Sequence, residues 1–209
     1  MFSMTSINLF LFMSIFVLFI GKSLNISSHV KVSVYYECLC PDSIDFIKNQ
    51  LWPNYEGLKD NIVVDFVPYG FAKDSSGNWI LECQHGTNEC RGNKYHACAF
   101  DQQKGQNKDV AFLSCSMSSS DPSSVEIIKN CANENGYNWS AISECYNGNR
   151  GNDLIAKYGE RTDSLKLKFI PSILFNDKFD QKLQDESIDN FLKAACSQIS
   201  EPKPKACHE

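Results

Sequence analysis

YYECLCPDSIDF, Tyr35 to Phe46, sets two cysteines either side of one leucine, ahead of a proline, where the chain changes its period. Before it, HVKVSVYYE alternates: Val30, Val32, Val34 and Tyr36 share one face, and Lys31, Ser33 and Tyr35 share the other, which is the repeat of a β-strand. After it, Ile44, Ile47 and Leu51 fall at helical spacing with Phe46 beside them, predicting a helix from Pro41 to about Leu51 that Pro53 ends. Cys40 thus stands at a strand-to-helix junction, where unsatisfied amides and the positive helix end favour a thiolate, the reactive form of a cysteine. Asp42 acts the other way, and a plain half-cystine at Cys40 is the competing reading. A two-thiol exchange site needs a resolving thiol one helical turn on, and that position is Ser43, whose hydroxyl can donate a hydrogen bond but cannot resolve a mixed disulfide. Cys38 is the other candidate. Extended chain would hold its Cα about 6.6 to 7.2 Å from that of Cys40, at the limit for a disulfide, so pairing them requires a local turn.

Working outward, NIVVDFVPYG is a short β-branched run stopped by Pro68 and Gly70, predicting a second strand parallel to the first through the helical crossover. Residues 71 to about 168 are rich in Asn, Ser, Lys and Cys, with helical patterns in KDVAFLSCSM, SSVEIIKNCANENG and AISECYNGNRGNDLIAKYG. KFIPSILFND then returns to strand with a turn at Asn176-Asp177, and a helix is expected from about Asp185 to Ile199. The tail from 201 to 209 reads as loop. Strand, helix, strand, helical insertion, proline-led strand and helix make an α/β layout, that of a thioredoxin-like fold carrying an inserted, disulfide-rich helical subdomain. In such folds a cis proline at the position of Pro171 faces the reactive cysteine, and the residue before it, Ile170, offers backbone to substrate. A trans proline at a strand edge is the alternative.

The apolar run Leu9 to Ile20, followed by Gly21, Lys22 and Ser23, reads as a signal peptide over residues 1–23, with an uncleaved anchor as the alternative because no basic residue precedes Leu9, leaving a domain over 24–200 and no later stretch able to span a bilayer. Loss of Lys22 would take the formal charge from -5 to about -6, which argues against a nucleic-acid partner. All 10 cysteines follow that segment, so an oxidising route should pair most of them. Outside the turn, Cys83, Cys90, Cys98, Cys115, Cys131, Cys145, Cys196 and Cys207 can close among themselves, which leaves Cys38 and Cys40 without other partners. Sequons at Asn25 and Asn138 are candidate glycan sites. Cys83, His85, Cys90, His96 and Cys98 could be counted as zinc ligands, but their spacing fits no standard finger, so neither a metal nor a cofactor is expected. His85 either tunes a nearby thiol or bonds to backbone.

The segment Cys83-Gln84-His85-Gly86, Glu89-Cys90, Asn93 and Cys98 reproduces the signature of the gamma-interferon-inducible lysosomal thiol reductase (GILT) family at all eight fixed positions. VSVYYE, VPYG, SECYNGNRG, RTDSL and IPSILFN extend the resemblance over essentially residues 30 to 200. It implies a secreted or lysosomal glycoprotein that reduces protein disulfides at acidic pH through a Cys-x-x-Cys pair, with a part in innate defence among invertebrate relatives. Cys40 takes the nucleophile's place and Ser43 that of the resolving cysteine. Two expectations follow: a thiol-disulfide oxidoreductase acting on disulfide-bonded proteins, resolved by Cys38 or by an external small thiol, or a GILT-like binding protein with impaired catalysis that acts by contact with host or microbial surfaces.

Overall fold

The computed structural model describes residues 29–74 and 81–208. The expected signal peptide and the Asn25 sequon lie outside these residues. Strand β1 (Val30–Tyr36) is the centre of a three-stranded sheet, paired in parallel with β2 (Ile62–Pro68) and antiparallel with β5 (Ser172–Phe175). Its alternation does place Val30, Val32, Val34 and Tyr36 in the main core, but Tyr35 is buried as well, against Val67, Ile170 and Leu174 on the other face. Both faces of β1 are therefore covered, as the central strand of a layered α/β sheet requires.

The crossover from β1 to β2 is longer than the sequence pattern predicts. Helix α1 (Pro41–Asp45) runs through a π segment (Phe46–Leu51) into α2 (Trp52–Leu58), so Pro53 does not end the helix. The reason lies in the widened turn: Trp52 N–H reaches back to the Ile47 carbonyl, a five-residue step that makes room for the proline ring and its missing donor. Phe46, Ile47, Leu51 and Leu58 pack from this stretch onto the sheet, and Phe46 meets Phe191 edge to face at 5.6 Å.

Between the strands of the sheet, the chain forms a short hairpin (β3, Lys73–Asp74; β4, Leu81–Glu82) and five helices: α3 (Thr87–Phe100), α4 (Gln106–Met117), α5 (Val125–Glu134), α6 (Trp139–Asn147) and α7 (Asn149–Leu165). The pattern expected to continue from 141 to 159 is split at Gly148, and α3 was hidden in the polar signature segment. A second core binds these helices, with Tyr95, Phe112, Ile128, Ile142 and Ile155 at its centre. Three disulfides close it: Cys83–Cys90, Cys98–Cys145 and Cys115–Cys131. His96 of α3 joins the two layers, hydrogen-bonded through Nδ1 to Tyr36 Oη at 3.0 Å and through Nε2 to Ser116 Oγ at 2.9 Å. Asn138 is exposed and caps α6, its Oδ1 accepting from Ala141 N–H.

The C-terminal helix expected as one piece is two, α8 (Gln181–Asp189) and α9 (Phe191–Gln198), because Asn190 leaves helical geometry and its Oδ1 caps the second by accepting from Lys193 N–H. The tail read as loop makes a 3-10 turn at Lys205–His208, bridged to α9 by Cys196–Cys207 and pressed on α2, where a Cβ added to Gly57 would meet Ala206 Cβ at 2.7 Å.

Candidate active site

A thiol placed at a strand-to-helix junction is held by two constraints, the end of the strand ladder and the first helical hydrogen bond. Both act on Cys40. Its N–H closes a turn onto the Glu37 carbonyl at 3.3 Å, and its carbonyl accepts from Ile44 N–H at 3.0 Å, with Pro41 at the first helical position. Cys40 Sγ lies 3.6 Å from the Ile170 carbonyl oxygen. The Ile170-Pro171 bond is cis, and Ser172 begins β5 beside β1, so the pairing of Tyr35 with Ser172 carries the proline loop up to the cysteine. Beside this junction is a groove of about 470 Å³ with Phe169, Ile170, Pro171 and Ile188 in its wall and Asp42 and Asp185 among its polar groups.

Cys38 is two residues away and elsewhere. The turn that pairing it with Cys40 required is present, yet Cys38 Sγ approaches the Glu89 carbonyl oxygen of α3 at 3.5 Å, its N–H donates to Asn93 Oδ1 at 2.9 Å, and no part of it is exposed. Gly92 makes this packing possible: a Cβ there would come within 2.5 Å of the sulfur. Cys38 belongs to the main core and Cys40 to the small cluster with Tyr35, Val67, Ile170 and Leu174. Both are free thiols. Burial, and then the nearby Glu89 charge, pushes the Cys38 thiol well above its ordinary range.

Ser43 is fully buried, and its Oγ accepts from Glu37 N–H at 3.4 Å. The hydroxyl thus serves the turn that displays Cys40. The signature residues are divided between scaffold and site. Cys83 and Cys90 bond to one another, and Cys98 bonds to Cys145, which removes these sulfurs from any zinc set. Gln84 and Gly86 are exposed in the loop before α3, Gly86 at φ +84°, while Asn93 holds the Cys38 backbone. His85 Nδ1 lies 2.6 Å from Glu89 Oε2, a side-chain contact where backbone bonding was one expectation.

Glu37 is the residue that sequence reasoning missed. It follows β1 with only 1% of its surface exposed, and its Oε1 accepts from Phe71 N–H at 2.7 Å. Burial chiefly raises its carboxyl above the usual range, with the Phe71 N–H opposing and the Glu89 charge adding. The one available signal was an acid in the middle of an apolar run, between Tyr36 and Cys38.

A family model described as gamma interferon inducible lysosomal thiol reductase (GILT) matches residues 31–135. GILT-like protein 1 of Drosophila melanogaster is 36% identical over 200 residues, covering 88% of this chain and 80% of that protein. Gamma-interferon-inducible lysosomal thiol reductase of Carassius auratus is 33% identical over 187 residues, covering 87% of this chain and 73% of that protein. Among solved structures, oxidised BdbD from Bacillus subtilis superposes with a TM-score of 0.53 at 13% identity, over 77% of this chain and 88% of that one, a likeness of fold.

Proposed function

This chain belongs to the gamma-interferon-inducible lysosomal thiol reductase (GILT) family, and from that membership we propose that it reduces protein disulfides through the single thiol of Cys40, with a small external thiol completing each turnover. The observation that carries this reading is the position of Cys40 Sγ, at the head of a helix and 3.6 Å from the Ile170 carbonyl beside cis Pro171. An extended substrate segment laid along that loop brings its disulfide to the sulfur.

In the first step the Cys40 thiolate attacks one sulfur of the substrate disulfide. A mixed disulfide forms, the substrate S–S bond breaks, and the departing sulfur takes up a proton. An external thiolate then attacks the Cys40 sulfur, releasing the second substrate thiol, and a second external thiol frees Cys40. The sum is one protein disulfide reduced and one small-molecule disulfide formed. The external thiol is assigned this part because Ser43 has no sulfur and Cys38 is buried against α3, away from the groove.

The secretory route belongs to the same reading. Four disulfides are features of a chain folded in an oxidising compartment, and among the described residues no helix is long and apolar enough to cross a membrane.

The test is reduction of a disulfide-bonded protein at acidic and neutral pH, with external thiol supplied, by wild type, Cys40→Ser and Cys38→Ser. Cys40→Ser should fall to the rate of the external thiol alone, and Cys38→Ser should keep most of the wild-type rate. A wild type no faster than Cys40→Ser would leave a binding protein in place of an enzyme. Loss of turnover in Cys38→Ser with its fold intact would restore the internal pair.

A further inference from the structure

Two buried carboxylates that the thiol chemistry leaves unused converge on a partly exposed histidine behind the active-site turn. Glu37, after β1, His85, in the loop before α3, and Glu89, in the first turn of α3, bring one donor atom each to within 4.8 Å of one another. Each carboxylate is fixed through its other oxygen by a backbone amide: Glu37 Oε1 accepts from Phe71 N–H at 2.7 Å, and Glu89 Oε1 accepts from His85 N–H at 3.1 Å. The two remaining oxygens face the same ring nitrogen, His85 Nδ1, with Glu89 Oε2 at 2.6 Å and Glu37 Oε2 at 3.5 Å. One N–H can serve only one of them. It serves Glu89, and Glu37 Oε2 is left buried without a hydrogen-bond partner. Two carboxylates exposed to 1% or less, one with an orphaned oxygen, are costly as they stand and want a positive charge between them.

We propose that Glu37, His85 and Glu89 form a site for a divalent transition-metal ion, best matched by zinc, with one imidazole nitrogen and two carboxylate oxygens as protein ligands. The donor set is one that zinc takes, and a dication neutralises both carboxylates. Tetrahedral zinc with bonds of about 2.0 to 2.1 Å sets its ligand atoms roughly 3.3 Å apart. The His85 to Glu37 separation already fits that spacing, and the His85 to Glu89 contact opens by less than about 1 Å when the shared proton gives way to the ion. The backbone amides on Glu37 Oε1 and Glu89 Oε1 are the outer contacts that keep ligating carboxylates aimed. The His85 side chain is 36% exposed, which provides an entry path and room for water at a fourth position.

The surroundings hold the three ligands in register. Cys83–Cys90 closes the loop that carries His85. Gly70, at φ +64°, leaves the volume that Glu37 fills, since a Cβ there would sit 2.1 Å from Glu37 Cγ. This set shares only His85 with the cysteines and histidines whose spacing argued against zinc: the cysteines among those are bridged, His96 is bonded to Tyr36 and Ser116, and Glu37 is far from His85 in the sequence. A bound ion would tie the start of α3 to the turn displaying Cys40, a brace that takes no part in sulfur exchange.

The experiment is calorimetric titration of zinc into the metal-stripped full chain, at neutral pH and with disulfides intact, followed by cobalt(II) absorption spectra. One ion per chain is expected in wild type. Affinity should fall at least tenfold in both Glu37→Gln and His85→Ala, and should be unchanged in Asp185→Asn, which alters the groove. Bound cobalt(II) should lack thiolate-to-metal charge-transfer absorption. His85→Ala removes a partly exposed ring and remains decisive if Glu37→Gln does not fold. The proposal is overturned by absence of stoichiometric zinc binding, by unchanged affinity in either folded variant, or by a charge-transfer band that vanishes in Cys38→Ser or Cys40→Ser.

Discussion

The turn that displays Cys40 and the helical layer packed behind it treat the same side chain in opposite ways. In the helical layer each cysteine is bridged, with Cα separations of 5.7 to 5.8 Å, well inside the range that a disulfide accepts. On the turn, Cys38 and Cys40 are neighbours in sequence and remain thiols, one directed to Glu89 on α3 and the other to Ile170 on the proline loop. The lesson is that direction, more than distance along the chain, decides which sulfurs meet. Packing against different elements keeps two adjacent thiols reduced in a chain that oxidises the rest.

The strongest way to probe this contrast is to open the layer that is bridged. Cys98 and Cys145 are 47 residues apart, and replacing both by alanine should cost about 4 kcal/mol by loop-closure entropy, as read from urea unfolding. Cys83 and Cys90 are 7 apart, so the matching double variant should cost only about 2.5 kcal/mol. Equal losses would mean that the bridges act by local packing instead.

The seam between the regions should respond to acid. Burial lowers the His96 pKa from 6.5 to about 3. Between these values an unfolded chain takes up the proton and the folded chain does not, so stability falls as pH falls, by roughly 1.4 kcal/mol per pH unit. Stability is thus retained above the unfolded value and lost progressively toward the folded one. Near pH 4.5 the deficit attributable to His96 should reach a few kcal/mol, and His96→Gln, which keeps polar partners without the titration, should show a shallower slope in unfolding measured from pH 7 to 4.5.

Crowding the buried Cys38 thiol is a smaller intervention. Gly92→Ala would press a methyl group to 2.5 Å from Cys38 Sγ and should destabilise the fold by about 2 kcal/mol while leaving the rate at Cys40 within a few-fold. A proportionate loss of rate would show that the two thiols are coupled after all. Ser43→Cys should have the smallest effect: a resolving thiol one turn along should shorten the lifetime of the trapped Cys40 mixed disulfide on the order of tenfold, visible by mass spectrometry.

Much of this contrast was legible in the residues, and the parts that were not have physical reasons. Alternation in Val30, Val32, Val34 and Tyr36 placed β1, the β-branched run placed β2 beside it, and a proline before SILF marked the strand that returns to the cysteine. The pairing of Cys98 with Cys145 was not legible, because partners in a helical layer are fixed by tertiary packing. Helix α3 was masked by its polar and cysteine-rich composition, with buried Glu89, Asn93 and His96 occupying positions where a periodicity argument looks for apolar residues. The continuation through Pro53 depended on a widened turn that propensity does not describe. Glu37 left only the trace of an acid within an apolar run, because its burial is set by Gly70, Phe71 and α3, all remote in sequence.

The clamp between α9 and the final 3-10 turn affects how damage to the chain would be noticed. A protease cut between Ser197 and Ala206 would leave both pieces on one molecule, held by Cys196–Cys207, so the nicked protein would migrate intact on a non-reducing gel and release the piece carrying Cys207 only after reductant is added. The external thiol proposed to regenerate Cys40 would itself be such a reductant. Prolonged turnover and loss of the C-terminal peptide from nicked chains would therefore be tied to the same small molecule.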